Sequence, residues 1–250
     1  MTDLQEAVLS KSIAVFGAGP ALGRAVAQRY AKEGYEVVLV ARRQEPLDVL
    51  AGELHAAGAT AHVITADLSD VSAVPQVAER VRAVAGDVDA FYYGAAANAF
   101  IPALDLTAQR AEALMPLGVY ALLALVREFL PAMLERGDGA ILSAQGAAAV
   151  HGLPHISGGL AIAAQRNYLE ALHAAVADQG VYVGGLYIGA AIERSAFHAE
   201  WAAARAAGAS VPEMATADPD HLADLLWTMH STRSGPEARY PEGPSAAEQS

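Results

Sequence analysis

A doubly wound α/β domain, with one parallel sheet covered by helices on both faces, is the fold class this sequence predicts. Three observations predict it. Short apolar runs alternate with longer stretches of helical apolar spacing along most of the chain. The short runs are almost continuously apolar, as strands buried on both faces are. The first of them passes through a glycine-rich turn directly into a helical pattern.

In chain order, "SIAVFG" (12–17) is a compact strand ending in glycine, and "PALGRAVAQRYAKEG" (20–34) carries helical spacing up to a glycine stop. "EVVLVA" (36–41), "AHVITA" (61–66) and "DAFYYG" (89–94) are the next three strands. "LGVYALLALVREFLPAMLERG" (117–137) predicts a long helix bent or ended near Pro131, whose ring removes a backbone donor. "AILSA" (140–144) and "VYVGGLYIG" (181–189) supply two more strands. Between them "AIAAQRNYLEALHAAVADQG" (161–180) is a helix stopped by Gly180. Repeated strand–helix–strand units build a parallel sheet with two covered faces. The domain is expected over 1–233. A flexible tail is expected over 234–250, where Pro, Gly, Ser and Glu dominate.

A chain of 250 residues suits one domain with a substantial core. A net charge of −12 opposes binding to nucleic acid or anionic membranes. The absence of cysteine excludes disulfides, thiolate metal sites and cysteine nucleophiles. Apolar residues make up 54% of the chain but form no uninterrupted run of about 18, so no membrane span is expected. "MTDLQEAVLSKS" lacks a basic-then-apolar signal pattern, and a cytoplasmic location is the expectation. No histidine–carboxylate spacing reads as a metal site.

The turn after the first strand reads "GAGPALG", Gly17 to Gly23. Missing side chains let a backbone approach a pyrophosphate, and the amides of a helix N-terminus hold its charge. Gly17, Gly19, Pro20, Leu22 and Gly23 are therefore the candidate phosphate loop of a Rossmann-like domain. At the end of the second strand "ARRQ" places Arg42 and Arg43 where a ribose 2′-hydroxyl would call for an acid, and arginine suits a 2′-phosphate. NADP(H) is the cofactor these residues imply.

With Asp67 and Leu68 in "ADLSD" after the third strand, the order and spacing of these motifs resemble the short-chain dehydrogenase/reductase family over residues 12 to about 230. The resemblance implies that Asp67 and Leu68 hold the adenine ring and that Gly94, Ala95 and Ile188 adjoin the rest of the dinucleotide. It implies a small-molecule substrate and, through the helices at 117–137 and 161–180, a homodimer or homotetramer. It also implies an Asn, Ser, Tyr and Lys tetrad, and here the chain departs from the family. Counting along the motifs puts these positions at Gly118, at Gln145 or Gly146 (with Ser143 slightly upstream), at Gly158 and at Ile162. A check without alignment agrees: the only lysines are Lys11 and Lys32, and none of the nine tyrosines is followed four residues later by Lys or Arg.

Loss of a general acid costs about 10²–10⁴ in rate without forbidding hydride transfer. An iminium, an activated alkene or a substrate with its own acid would tolerate it. His155 and Tyr187 are the candidate replacement acids, with His151 as a further loop histidine and Ser157 as a helix cap. Tyr92 and Tyr93 read as packing, and Glu193 and His198 fall in the family's substrate-covering segment. The leading expectation is an atypical NADP(H)-dependent oxidoreductase with a non-standard proton donor. A non-redox dehydratase, isomerase or cyclase, or a non-catalytic NADPH-binding protein, are the alternatives. Glycine at 118, 146 and 158 is expected to enlarge the substrate pocket.

Overall fold

The computed structural model describes residues 10–95, 101–154, 159–207 and 214–242. Strand β1 (Ser12–Phe16) leads into helix α1 (Leu22–Lys32), then β2 (Glu36–Ala41), α2 (Gln44–Ala56), β3 (Ala61–Thr65), α3 (Val74–Ala85) and β4 (Ala90–Tyr93). The second half holds α4 (Ala108–Met115), α5 (Ala121–Arg136), β5 (Gly139–Gly146), α6 (Gly159–Val176) and β6 (Val181–Ile188). A small appendage of β7 (Ala191–Ile192), α7 (Ala196–Ala206) and β8 (Thr216–Ala217) precedes α8 (Pro219–Thr232) and β9 (Glu237–Tyr240).

Seven strands form one sheet in the order β3-β2-β1-β4-β5-β6-β9, with every pair parallel. Strand order reverses between β1 and β4, which opens a crevice beyond their C-terminal ends. Alternation along the strands divides the core in two. Ile13, Val15, Val37 and Leu39 face α1, α2 and α8, whereas Ala14, Phe16, Val38 and Val40 face α3, α5 and α6.

Two expectations are corrected here. Residues 237–240 of the expected tail form β9, the edge strand, with Gly185 opposite Glu237 and Ile188 opposite Tyr240. Residues 243–250 lie outside the described residues. Nor does the long helix end at Pro131: α5 runs to a left-handed cap at Gly137. Pro131 and Arg127, whose carbonyl loses its partner, both lie on the exposed side, where water replaces the bond. The irregular turn lies earlier, as a π-helical segment at Pro116–Tyr120 that joins α4 to α5. The combined helix Ala108–Arg136 is long and apolar enough to cross a membrane by composition. Here Leu122, Leu125, Val126, Phe129 and Met133 pack it onto the sheet.

Three tyrosines use one packing device. Alternate residues of a strand share a face, so a glycine two positions away leaves room for a ring to lie along the strand. Tyr92 lies over Gly94, Tyr182 over Gly184 and Tyr187 over Gly185; a Cβ at any of these glycines would collide with the phenol.

Candidate functional site

A cleft of about 250 Å³ lies beyond the ends of β1, β2, β3 and β4. Gly17, Gly19 and Pro20 form one wall, Arg42, Arg43, Asp67 and Leu68 one end, and Gly94, Ala95 and Leu117 the other. The loop that builds it requires glycine at two points. Gly17 has φ +94° and a Cβ there would sit 2.7 Å from the Ala95 nitrogen. A Cβ at Gly23 would overlap the Gly17 carbonyl. Backbone bonds Gly17 N to Val40 O (2.9 Å) and Arg24 N to Gly19 O (2.9 Å) tie the turn to β2 and α1.

Helix α1 begins with no side-chain cap at Ala21 and no acid in its first turn. Its N-terminal dipole therefore meets the cleft uncompensated by protein, as an anion site requires. Arg42 and Arg43 are exposed at the far end. Asp67 is held below its ordinary range, chiefly by the hydroxyl and amide of Ser69, with Arg42 adding a smaller attraction. These features fit a dinucleotide with an additional phosphate. Three expected cofactor residues do not line the cleft. The side chains of Leu22 and Ile188 turn into the core, and Gly23 serves the close packing of the turn.

The other half of the site is closed by different means. Ser143, on the face of β5 that meets α6, donates to Gln165 Oε1 at 2.8 Å. Gln165 Nε2 donates to the Gly118 carbonyl at 2.8 Å. That carbonyl lies in the π turn, where wider winding disturbs the ordinary i to i−4 ladder. Gln165, 1% exposed, thus joins strand, turn and helix. The sequence carried a signal for it: Ala161, Gln165 and Leu169 form an i, i+4, i+8 stripe, and a polar residue in a buried stripe needs partners.

Gly118 does not enlarge the pocket, contrary to expectation. A Cβ there would stand 2.6 Å from the Ala161 Cβ, so α6 packs directly against this glycine. Gly146 is exposed and open, with Ile162 Cδ1 the nearest atom at 4.0 Å from a notional Cβ. Gly158, His155 and Ser157 lie outside the described residues.

Tyr187 is turned away from the cleft. It is 3% exposed, its hydroxyl lies back over Gly185, and the Arg166 guanidinium covers its ring at 5.7 Å. Arg166 pairs with Glu237 of β9 at 2.6 and 2.9 Å. Burial, followed by the Glu237 charge, pushes the phenol well above its usual range. The arrangement makes Tyr187 part of the α6–β6–β9 packing and a poor acid. Tyr93 likewise packs, donating to the Leu117 carbonyl at 2.6 Å.

Gln145 is the group that sequence reasoning passed over as a mere alignment position. It is 6% exposed, and its Nε2 finds no hydrogen-bond partner among the described residues. In the β7–α7–β8 appendage Glu193 and His198 are held by backbone contacts, with Ser195 capping α7 through the His198 amide at 3.1 Å.

A family model described as short chain dehydrogenase matches residues 11–203. Fatty acyl-CoA reductase Rv0547c of Mycobacterium tuberculosis is 34% identical over 135 residues, covering 53% of this chain and 46% of that protein. Very-long-chain 3-oxoacyl-CoA reductase of Anas platyrhynchos is 29% identical over 180 residues, covering 68% of this chain and 56% of that protein. The chain spans about half the length of these relatives. Among solved structures, one described as an NAD(P)-dependent gluconate 5-dehydrogenase of Beutenbergia cavernae with bound NADP is 26% identical, with a TM-score of 0.78 over 93% of this chain and 95% of that one. Actinorhodin polyketide ketoreductase with NADPH, 21% identical over 92% of this chain and 95% of that one, shares the fold at a TM-score of 0.83.

Proposed function

The chain belongs to the short-chain dehydrogenase family, and from that premise we propose that it is an NADP(H)-dependent oxidoreductase acting on a small molecule without the family's tyrosine–lysine acid. The observation that carries this reading is the cleft. Its glycine wall and uncapped helix accept a pyrophosphate, and its far end presents two arginines where a 2′-phosphate would lie. Gly17 and Gly19 hold the backbone close to the phosphates, and Arg42 with Arg43 pairs the 2′-phosphate. Asp67, polarised by Ser69, takes hydrogen bonds from the adenine. Bound NADPH supplies a hydride. What this chain adds is orientation and a site walled by Leu117 and Ala95.

Titration of the purified protein with NADPH and then NADH tests the reading. NADPH is expected to bind about ten- to a hundredfold more tightly, the worth of one charge-assisted contact. Failure of both to bind sinks it. A screen for NADPH consumption that includes acyl thioesters follows from the acyl-CoA reductases among the relatives.

The locking of Ser143 by Gln165 and the closing of Gly118 by Ala161 favour a second reading, a non-redox enzyme or a non-catalytic NADPH-binding protein. Substrate conversion without nucleotide change, or nucleotide binding without conversion, would select one of these. We further propose self-association through α5 and α6, beside which Tyr120 and Leu160 stand exposed. Light scattering of the purified protein checks this, a monomer at micromolar concentration being the contrary result.

A further inference from the structure

Selectivity for one phosphate position needs a donor whose geometry is fixed before the ligand arrives, or a group that repels the wrong isomer. A guanidinium braced by a neighbouring carboxylate or carbonyl is such a donor. The arginine end of the cleft is built differently. Arg42 and Arg43 are both exposed, and neither forms a hydrogen bond or ion pair with another described residue. The carboxylate that could brace them is tied to its own loop: Asp67 accepts from the Ser69 amide at 3.0 Å and the Ser69 hydroxyl at 2.7 Å. The backbone is extended at Arg43, with φ −109° and ψ 124°, so the two side chains leave the chain in different directions. Both nevertheless line the cleft. Two long cations thus reach one end of it by separate paths, against the single anion of Asp67.

The 2′ and 3′ oxygens of a ribose stand on adjacent carbons, within the sweep of either side chain. The opposite anchor, the glycine wall at the start of α1, suits a 5′-diphosphate, which is the same whichever oxygen carries the extra phosphate. The arrangement therefore reads ADP bearing one more ribose phosphate, and responds to its charge more than to its position. Ala95 and Leu117, beyond the diphosphate, are apolar and carry no group that singles out a nicotinamide riboside. Resting on the NADP(H) reading above, we propose that the cleft also takes 3′-phosphorylated ADP, the nucleotide end of coenzyme A, in competition with NADPH. Coenzyme A and its thioesters then withhold the site from NADPH as they accumulate, and Arg42 and Arg43 together set the strength of that inhibition.

The test follows NADPH fluorescence as bound NADPH is displaced by four probes: coenzyme A, dephospho-coenzyme A, adenosine 2′,5′-bisphosphate and adenosine 3′,5′-bisphosphate. Coenzyme A is expected to compete about ten- to a hundredfold better than its dephospho form, the worth of one charge-assisted contact. The two bisphosphates should differ by less than about tenfold, which is less than one such contact. The double variant Arg42→Gln, Arg43→Gln should weaken coenzyme A and NADPH alike and leave dephospho-coenzyme A unchanged. Equal competition by coenzyme A and its dephospho form overturns the inference. So does a preference for the 2′ isomer greater than about tenfold, or a double variant that loses NADPH and keeps coenzyme A. NADPH that binds and is not displaced by coenzyme A removes this inference and leaves the cofactor reading intact. If NADPH itself does not bind, the cofactor reading falls, and calorimetric titration with coenzyme A and its dephospho form still decides the 3′-phosphate site.

Discussion

The two ends of the sheet's C-terminal edge have been treated in opposite ways. Around β1 and β2, glycines shape a cleft: α1 carries no side-chain cap, and Arg42 and Arg43 line its far end. Around β5 and α6, small residues among those described bring elements together. Gly118 admits Ala161, Gln165 bridges Ser143 and Gly118, and Tyr187 lies flat under Arg166. The first region leaves a helix N-terminus and two arginines facing the cleft, and the second spends nearly all of its polar groups on packing. Unpartnered capacity, more than the presence of polar residues, distinguishes a binding region from a structural one.

The sharpest way to break this comparison is Gln165→Leu. If the network is structural, the variant strands a buried hydroxyl and a buried carbonyl. It should lose about 3 kcal/mol in urea denaturation, with NADPH affinity unchanged. An unaltered midpoint would remove Gln165 from the packing account.

Acid stability probes a third buried group, between α1 and α8. Tyr30 and His230 Nδ1 bond at 2.9 Å among Tyr35 and Trp227. Burial lowers the His230 pKa from 6.5 to about 4. The unfolded chain therefore binds a proton that the folded chain refuses. The stabilisation is complete above pH 6.5 and is lost as pH falls toward 4, by about 2–3 kcal/mol. His230→Phe should flatten that part of the stability–pH curve, and an unchanged slope would contradict the assignment.

Gly118→Asn puts back the family's residue and should harm the protein. Its Cβ meets the Ala161 Cβ at 2.6 Å, and overpacking of this kind costs about 2 kcal/mol. Calorimetric melting measures it, and a neutral variant would mean that α6 yields freely. The smallest expected effect is Arg42→Ala, which should weaken NADPH roughly tenfold, about 1.5 kcal/mol, and leave NADH unchanged. Equal loss for both nucleotides would move Arg42 from the 2′-phosphate to general attraction.

Much of this was legible in the sequence because it is local. Strand and helix periods, the glycine turn, and Arg42 following a strand can each be read within a few residues. The absence of a tyrosine–lysine relay is stronger still, since no lysine follows Lys32 and no fold can supply one. Only the tertiary structure decided the rest. Gln165 bonds Ser143 across 22 residues and Gly118 across 47, and no periodicity relates positions that far apart. A glycine at 118 reads equally as a hole or a contact until a second helix is placed beside it. Tyr187 stands at the C-terminal end of its strand, where such sheets place ligands, yet the gap left by Gly185 lets its ring lie back along the strand. Residues 237–240 look like solvated tail until β6 offers its edge, whose backbone groups need partners whatever side chains arrive.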